Sequence, residues 1–320
     1  MTRSTMPAKV VAKERVAPDI WSFVLEADER AFVPADAGSH IDVKLRSGLV
    51  RQYSLVREPR NGTYEIAVLR EERGRGGSKE LCDSVAVGDT LEISAPRNNF
   101  PLDQGRAHYL LVGGGIGLTP LLAMARSLHE QDRKFDFHIC ARTPEVLPFR
   151  VEIEHSAWAD RVHVHYTGGN APGRLDLPAL LRATAPETQV YICGPKRMLA
   201  IADETTRDWR AGRMRTERFT PGDVVAAPED QGSFDVVTAR SGKRFQVAPD
   251  VSLLDALEQN GIVVDSACHE GTCGTCVTPV LSGELVHRDS CLYDDERESG
   301  KLMAICVSRA KPGTELVLDV

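Results

Sequence analysis

The chain has 320 residues, 42% of them apolar and 27% charged, with a net charge of −7. That composition belongs to a globular protein of two domains or three small ones. It excludes a fibre, a disulfide-held miniprotein and a non-specific nucleic-acid binder. The charge is uneven. Residues 233–320 carry 14 acidic and 8 basic side chains, a net of −6, which leaves −1 for the other 232 residues. Such a segment either solvates a small domain or offers a docking surface to a basic partner.

The opening MTRSTMPAKVVAKERV has no apolar h-region and no cleavage site, so a cytoplasmic protein is expected. The first hundred residues then read as short strands. AKVVAKERV, WSFVLEA, HIDVKL, RQYSLV, YEIAVLR and TLEISA are bounded by Pro, Gly, Asp and Asn, the spacing of an antiparallel sandwich or barrel. Near residue 107 the pattern changes. HYLLVGG is a buried-strand run, TPLLAMARSLHEQ has helical periodicity, and FDFHICA, RVHVHYTG and QVYICGP are strands with helical stretches between them. Strands alternating with helices predict a parallel sheet covered on both faces.

The longest uncharged run, Tyr109 to Ala125, is 17 residues broken by four glycines and a proline. A strand, a glycine loop and a helix account for it better than a membrane span. TPGDVVAAPEDQG (220–232) reads as an interdomain linker. Strands FDVVTA and KRFQVA follow, then a helix VSLLDALEQNG with Gly261 as its C-terminal cap, a cysteine-rich loop and a last strand TELVLDV.

Three features carry chemistry. Cys268, Cys273 and Cys276 are spaced C-x4-C-x2-C, and Cys306 follows 29 intervening residues later. This is the plant-type spacing for a [2Fe–2S] cluster, in which three thiolates come from one wrapping loop and the fourth from a distant element. The small residues between them suit a backbone drawn close around the sulfides. The alternatives are a zinc site, which prefers two separated pairs, and a redox CxxC formed by Cys273 and Cys276. Cys140 is expected to be a small core residue, and Cys291 is assigned no role.

LLVGGGIGLTP (110–120) follows a strand and opens a helix, the context of a backbone anion cradle or of a tight strand–helix turn. Cys193-Gly194-Pro195 ends another strand, where ligands collect in open α/β sheets. A phosphate on the nucleotide's 2′ position would need a basic cluster after FDFHICA. That region reads ARTPEVLPFR, with Arg142 near the strand and Glu145 beyond it, and the reading here is NADH. Finally, Arg51-Gln52-Tyr53-Ser54-Leu55 supplies an arginine, a phenol and a hydroxyl suited to a phosphate and a ring system. Gly74-Arg75-Gly76-Gly77-Ser78 forms either a phosphate nest or a flexible loop.

In this order the pieces resemble the phthalate dioxygenase reductase family, which includes reductase subunits of the vanillate demethylase type. The similarity runs over nearly the whole chain. It is carried by RQYSL (51–55), GRGGS (74–78), PRNNFPL (96–102), GGGIGLTP (113–120), CGP (193–195), the Cys268–Cys276 loop, HRDS (287–290) and CVSRAK (306–311). The resemblance implies a multidomain chain: an antiparallel β-barrel that binds FMN rather than FAD (1–104), an α/β parallel-sheet NAD domain (105–225), a linker (226–232) and a C-terminal β-grasp ferredoxin domain (233–320). It implies that Arg51 and Ser78 hold the FMN phosphate, that Tyr53 and Ser54 lie against the isoalloxazine, and that Gly76 and Gly77 let the backbone approach. Gly114, Gly115, Gly117 and Thr119 would line the pyrophosphate site, with Cys193, Gly194 and Pro195 near the nicotinamide. Phe219 would shield the flavin face. Cys268, Cys273, Cys276 and Cys306 would hold the cluster.

The cofactors explain one another. NADH delivers two electrons together, the cluster accepts one at a time, and a flavin can do both. Hydride transfer needs nicotinamide and flavin at roughly 3–3.5 Å. No general base is needed. The chain carries no C-x-H…C-x-x-H motif, so the oxygen chemistry is expected on a separate Rieske non-haem iron oxygenase. The alternatives are a P450 or di-iron hydroxylase as acceptor, or an electron-carrier module without NADH oxidation.

Overall fold

The computed structural model describes residues 5–168, 173–220, 230 and 232–320. Two compact units divide after Glu217. The first contains both the strand-rich opening and the alternating region. The second is the cysteine-bearing segment Arg218–Val320.

The first unit begins with β1 (Thr5–Ala17), β2 (Ile20–Ala27), β3 (His40–Lys44), β4 (Val50–Ser54) and β5 (Thr63–Leu69), then helix α1 (Gly77–Ser84) and β6 (Thr90–Ser94). Side chains alternate along β1, with Met6, Ala8 and Val10 inward. Phe23 and Leu25 of β2 and Tyr64, Ile66 and Val68 of β5 join the same core. The antiparallel order is β4-β3-β6-β1-β2-β5. Its two outer strands approach one another just past β4. Leu55 bridges to Ile66, and the Val56 N–H donates to the Glu65 carbonyl at 2.9 Å. The sheet therefore closes towards a barrel and loses its free edges.

Helix α1 stands where the sequence suggested a loop. It begins after Gly76, whose φ of 83° is left-handed, and buries Leu81 and Cys82 in the barrel core. Eight residues are too few to be helical on their own, and the buried face holds them.

The same unit continues with β7 (Tyr109–Gly114), α2 (Leu118–Glu130), β8 (Phe135–Ala141), α3 (Arg150–Glu154), β9 (Val162–Tyr166), α4 (Leu177–Ala183), β10 (Gln189–Cys193), α5 (Lys196–Thr205) and β11 (Met214–Glu217). All five strands are parallel, in the order β11-β10-β7-β8-β9. The first strand of this sheet in chain order, β7, lies in the middle, so the winding reverses between β7 and β10. In open α/β sheets the crevice at the carboxyl ends of such a pair is where ligands bind.

The second unit contains β12 (Phe234–Thr238), β13 (Arg244–Val247), α6 (Leu253–Gln259), β14 (Val277–Ser282), β15 (Leu285–Val286), α7 (Asp294–Glu298), β16 (Leu302–Ala304), β17 (Arg309–Ala310) and β18 (Glu315–Leu318). The mixed sheet runs β13-β12-β18-β14-β16, with β12 and β18 parallel. Helix α6 buries Leu253, Leu254, Ala256 and Leu257 in the core beside it. Ser252 caps its start by accepting from the Asp255 N–H at 3.0 Å, and Gly261 follows its end with a φ of 71°. The expected linker 226–232 lies mostly outside the described residues.

Candidate cofactor sites

The cluster loop lies between α6 and β14. Its three cysteines, and Cys306 beyond β16, are buried, with 2–8% of each exposed, and none is in a disulfide. The thiols touch one another. Cys273 and Cys306 hydrogen-bond to the Cys268 sulfur, and Cys306 also to Cys276, which hold Cys268 and Cys276 towards the thiolate. The Glu270 N–H donates to the Cys268 sulfur at 3.3 Å. Left-handed backbone at His269, Gly271 and Gly274 (φ 58°, 70° and 65°) curls the loop around the sulfurs. Among the described residues, no group of three or more His, Cys, Asp or Glu side chains forms a single-ion site. Three thiols from one loop and a fourth from a distant element suit a two-iron cluster better than one zinc, which prefers two separated pairs.

Behind the loop lies a residue that sequence reasoning passed over. The Asp289 carboxylate is fully buried within HRDS. It accepts from Ser308 Oγ at 3.0 Å and from the Leu292 N–H at 3.0 Å, and faces His287 at 3.4 Å. Burial alone would raise its pKa, but these donors together with Arg297 bring it down to about 2. Its neighbour Ser290 donates from its N–H to the Gly271 carbonyl at 2.8 Å, which ties HRDS to the cysteine loop. A Cβ on Gly271 would meet Val307 at 2.6 Å and Asp289 at 2.9 Å, so the loop is packed against this anchor. Cys291 is half-buried, and its thiol is directed to Asp289 at 3.7 Å.

In the barrel, β4 brings Arg51, Tyr53 and Ser54 along one strand, and α1 brings the GRGGS segment beside them. Arg51 donates to the Arg75 carbonyl at 3.3 Å, and a Cβ on Gly77 would collide with the Arg51 side chain at 2.6 Å. The position needs glycine because the arginine lies across it. Gly76 has nothing within 4 Å of a would-be Cβ, so its backbone faces open space. Ser78 Oγ accepts from the Glu71 N–H at 3.1 Å, which leaves its own proton free to donate. The Tyr53 hydroxyl is buried without a hydrogen-bond partner among the described residues, and burial raises its pKa. Buried phenols usually find a partner. An orphan here fits a surface completed by a flavin.

At the carboxyl end of the parallel sheet the two glycine turns meet at the switch point. A Cβ on Gly117 would lie 2.5 Å from the Cys193 carbonyl oxygen, and one on Gly114 would lie 2.9 Å from Pro195 and Met198. Gly115 is left-handed (φ 58°) with open space beside it. A cavity of about 780 Å³ opens here, lined by Gly114, Gly115 and Pro195. Thr119 turns inward, donating to the Ile116 carbonyl at 3.0 Å. Cys193 is buried and its thiol pKa is pushed well up. Cys140 differs from its expected place in the core. It is half-buried on the cavity wall, one residue before the carboxyl end of β8. Phe219 lies two residues past the division between the units and is 43% exposed.

Glu217, the last residue of β11, is a second residue missed from sequence. Ser54 Oγ donates to its carboxylate at 3.2 Å, which joins the barrel to the sheet, and its neighbourhood includes Cys193. Burial pushes its pKa up to about 8. A carboxyl raised in the folded state holds a proton that the unfolded chain releases above about 4.5, so between these values the folded form binds more protons and stability falls as pH rises. Glu217→Gln is expected to remove this slope. Relative to wild type it should gain roughly 1–2 kcal/mol between pH 5 and pH 8. Denaturant unfolding at both pH values checks this, and equal slopes for the two proteins would refute it.

The sites thus define an oxidoreductase with flavin, dinucleotide and iron–sulfur modules on one chain, and comparison with known proteins agrees. A family profile described as an oxidoreductase FAD-binding domain matches residues 7–101, an oxidoreductase NAD-binding domain matches 111–204, and a 2Fe-2S iron-sulfur cluster binding domain matches 236–311. Phthalate dioxygenase reductase of Burkholderia cepacia is 38% identical over 315 residues, covering 98% of this chain and 96% of its own. A solved structure of phthalate dioxygenase reductase superposes with a TM-score of 0.70 at 37% identity, covering 99% of this chain and 98% of that one. An intact type IV self-sufficient cytochrome P450 monooxygenase matches with a TM-score of 0.90 at 36% identity, covering 99% of this chain and 41% of that one. The chain belongs to the phthalate dioxygenase reductase family, and its flavin, NAD and [2Fe–2S] domains make it an electron-transfer oxidoreductase of the reductase-component type. Among the described residues, no helix is long and apolar enough to cross a membrane.

Proposed function

We propose that this chain oxidises NADH with an FMN flavin and passes the electrons singly through its [2Fe–2S] cluster to a separate Rieske non-haem iron oxygenase or demethylase in the cytoplasm. The observation that carries the reading is the presence, on one chain, of three complementary surfaces: the β4–α1 wall, the paired glycine turns and the four buried thiols of the cysteine loop and Cys306. The bound cofactors supply hydride acceptance and one-electron release.

The chain's own residues bind and orient. Arg51, beside the left-handed turn at Gly76, would face the FMN phosphate, and Ser78 would donate its hydroxyl proton to it, with Gly77 leaving room for the arginine. Tyr53 and Ser54 form the wall for the ring. Gly114, Gly115 and Pro195 admit the nucleotide's phosphates to the switch point, while Gly117, Thr119, Cys193 and Gly194 hold the two turns in register behind them. Glu217 keeps its proton near neutral pH and so places no bare charge beside Ser54. Cys268, Cys273, Cys276 and Cys306 ligate the two irons, and the Glu270 N–H steadies the Cys268 sulfur.

Anaerobic NADH titration of the purified protein tests the relay. Flavin and cluster absorbance are expected to bleach together, with about three electrons taken up and a rhombic iron–sulfur EPR signal. Flavin bleaching without that signal would reduce the reading to a simple flavin reductase. Heat-released flavin identified as FAD would remove FMN from the proposal. A second acceptor, a P450 haem, is favoured by the close match to a self-sufficient P450 chain. Reconstitution with each acceptor class separates the two.

A further inference from the structure

The four buried thiols come from two segments, and the segments are joined at both ends of the cysteine loop. At the Cys276 end the join is backbone pairing. Val277 of β14 lies opposite Ala304 of β16, and the Ile305 N–H donates to the Cys276 carbonyl at 3.4 Å. At the Cys268 end the chain is irregular, and HRDS (287–290) makes the join instead. On one side the Ser290 N–H donates to the Gly271 carbonyl at 2.8 Å. On the other, Ser308, two residues past Cys306, donates its hydroxyl to Asp289 Oδ1 at 3.0 Å and accepts from the Arg288 N–H at 3.0 Å. Asp289 therefore stands between the ligand loop and the fourth ligand.

The Asp289 side chain is fully buried, which is costly for a charge unless partners surround it. Ser308, the Leu292 N–H at 3.0 Å and the Cys291 thiol at 3.7 Å face it with neutral dipoles. Two basic side chains face it as well. His287 lies at 3.4 Å, and the Arg297 guanidinium lies 3.6 Å from Oδ2 while donating to the Asp289 carbonyl at 2.6 Å. The arginines next in sequence turn elsewhere. Arg288 donates to the Asp230 carbonyl at 2.9 Å, and Arg309 to the Val251 carbonyl at 2.6 Å. The surrounding donors hold the Asp289 carboxyl well below its usual range, so it is charged at neutral pH. Arg297 is 32% exposed, so water screens it more than it screens the carboxylate. The negative charge behind the loop outweighs the cation beside it.

We propose that Asp289 is a positioning residue of the iron–sulfur centre: its buried carboxylate braces the two ligand-bearing segments and holds the cluster's reduction potential down. An electron entering the cluster adds negative charge, and a buried carboxylate opposes it through a medium that screens poorly. This rests on the reading of the four thiols as a [2Fe–2S] site.

Redox titration with dithionite and mediator dyes, followed by EPR on the anaerobic full-length protein, reads the potential directly. In Asp289→Asn the amide keeps the shape and loses the charge. The one-electron equilibrium constant is expected to move at least about 10-fold towards the reduced cluster, a rise of about 59 mV. Arg297→Gln removes the opposing cation. It is expected to move the constant the other way, by about 3-fold because of its exposure. A merely loosened fold does not give opposite signs at two neighbouring groups. Asp295→Asn removes an exposed charge from α7 and should change the constant by less than about 2-fold. Wild-type potentials in Asp289→Asn and Arg297→Gln, or shifts of the same sign, would overturn the proposal and leave the cluster reading standing. If Asp289→Asn does not retain its cluster, Arg297→Gln decides alone, and a potential that does not fall overturns the proposal. A wild-type protein with no one-electron iron–sulfur signal after dithionite would remove the cluster reading and the proposal with it.

Discussion

Cys273→Ser is expected to uncouple the two halves of the electron path. The serine cannot replace a thiolate whose neighbours are three buried cysteines, and the cluster should be lost or its EPR signal altered. NADH-driven reduction of the oxygenase should fall by at least about 100-fold. NADH oxidation by a two-electron dye should continue, because hydride transfer needs only the flavin and the nucleotide cavity, and these lie on the unit that ends at Glu217. Loss of both activities in a folded, flavin-replete variant would contradict this order of events. The cysteine loop is also tied to Asp289 through Ser290 and Gly271, so the variant should be accompanied by a melting curve of the whole chain.

Gly117→Ala is expected to strike the nucleotide site from behind. The added methyl would sit 2.5 Å from the Cys193 carbonyl oxygen, 2.6 Å from its carbon and 2.7 Å from the Gly194 nitrogen. All three are backbone atoms at a strand end, so no side chain can swing away. Relief requires β7 and β10 to part at their carboxyl ends, at a cost of about 1–3 kcal/mol. The turns that receive the nucleotide's phosphates would move with them, and KM for NADH should rise by about 10-fold or more. Gly115→Ala separates space from backbone conformation, since its Cβ meets nothing within 4 Å but its φ of 58° is left-handed. It should cost about 1 kcal/mol through backbone strain alone. Steady-state kinetics and chemical denaturation of both variants provide the check. A Gly117→Ala protein with wild-type stability and KM would show that the two turns are not in contact.

The spacing of Cys268, Cys273 and Cys276 was legible because cluster wrapping imposes it on a single loop, with Cys306 following at a distance. The strands of the barrel and of the parallel sheet were legible because alternation and buried runs are local patterns. Helix α1 was not legible. Its glycine-rich start reads as loop, and only packing of Leu81 and Cys82 into the barrel holds it helical. Glu217 and Asp289 were not singled out because each is one acid in a polar stretch. Their importance comes from distant partners, Ser54 for the first and Ser308 for the second.

Glycine roles show the same division. GGGIG reads from sequence as a phosphate cradle or a tight turn, and the structure assigns both descriptions to different glycines. Gly115 borders the open cavity, whereas Gly117 is the contact between two turns. The sequence by itself determined the chemistry available: four thiolates at cluster spacing, glycines after a strand, and an arginine, phenol and hydroxyl on one strand. Only the tertiary structure decided which of these groups face a ligand and which brace the residues that do. Residue type and spacing follow from local chemistry, but access to a ligand depends on what the rest of the chain packs against each face.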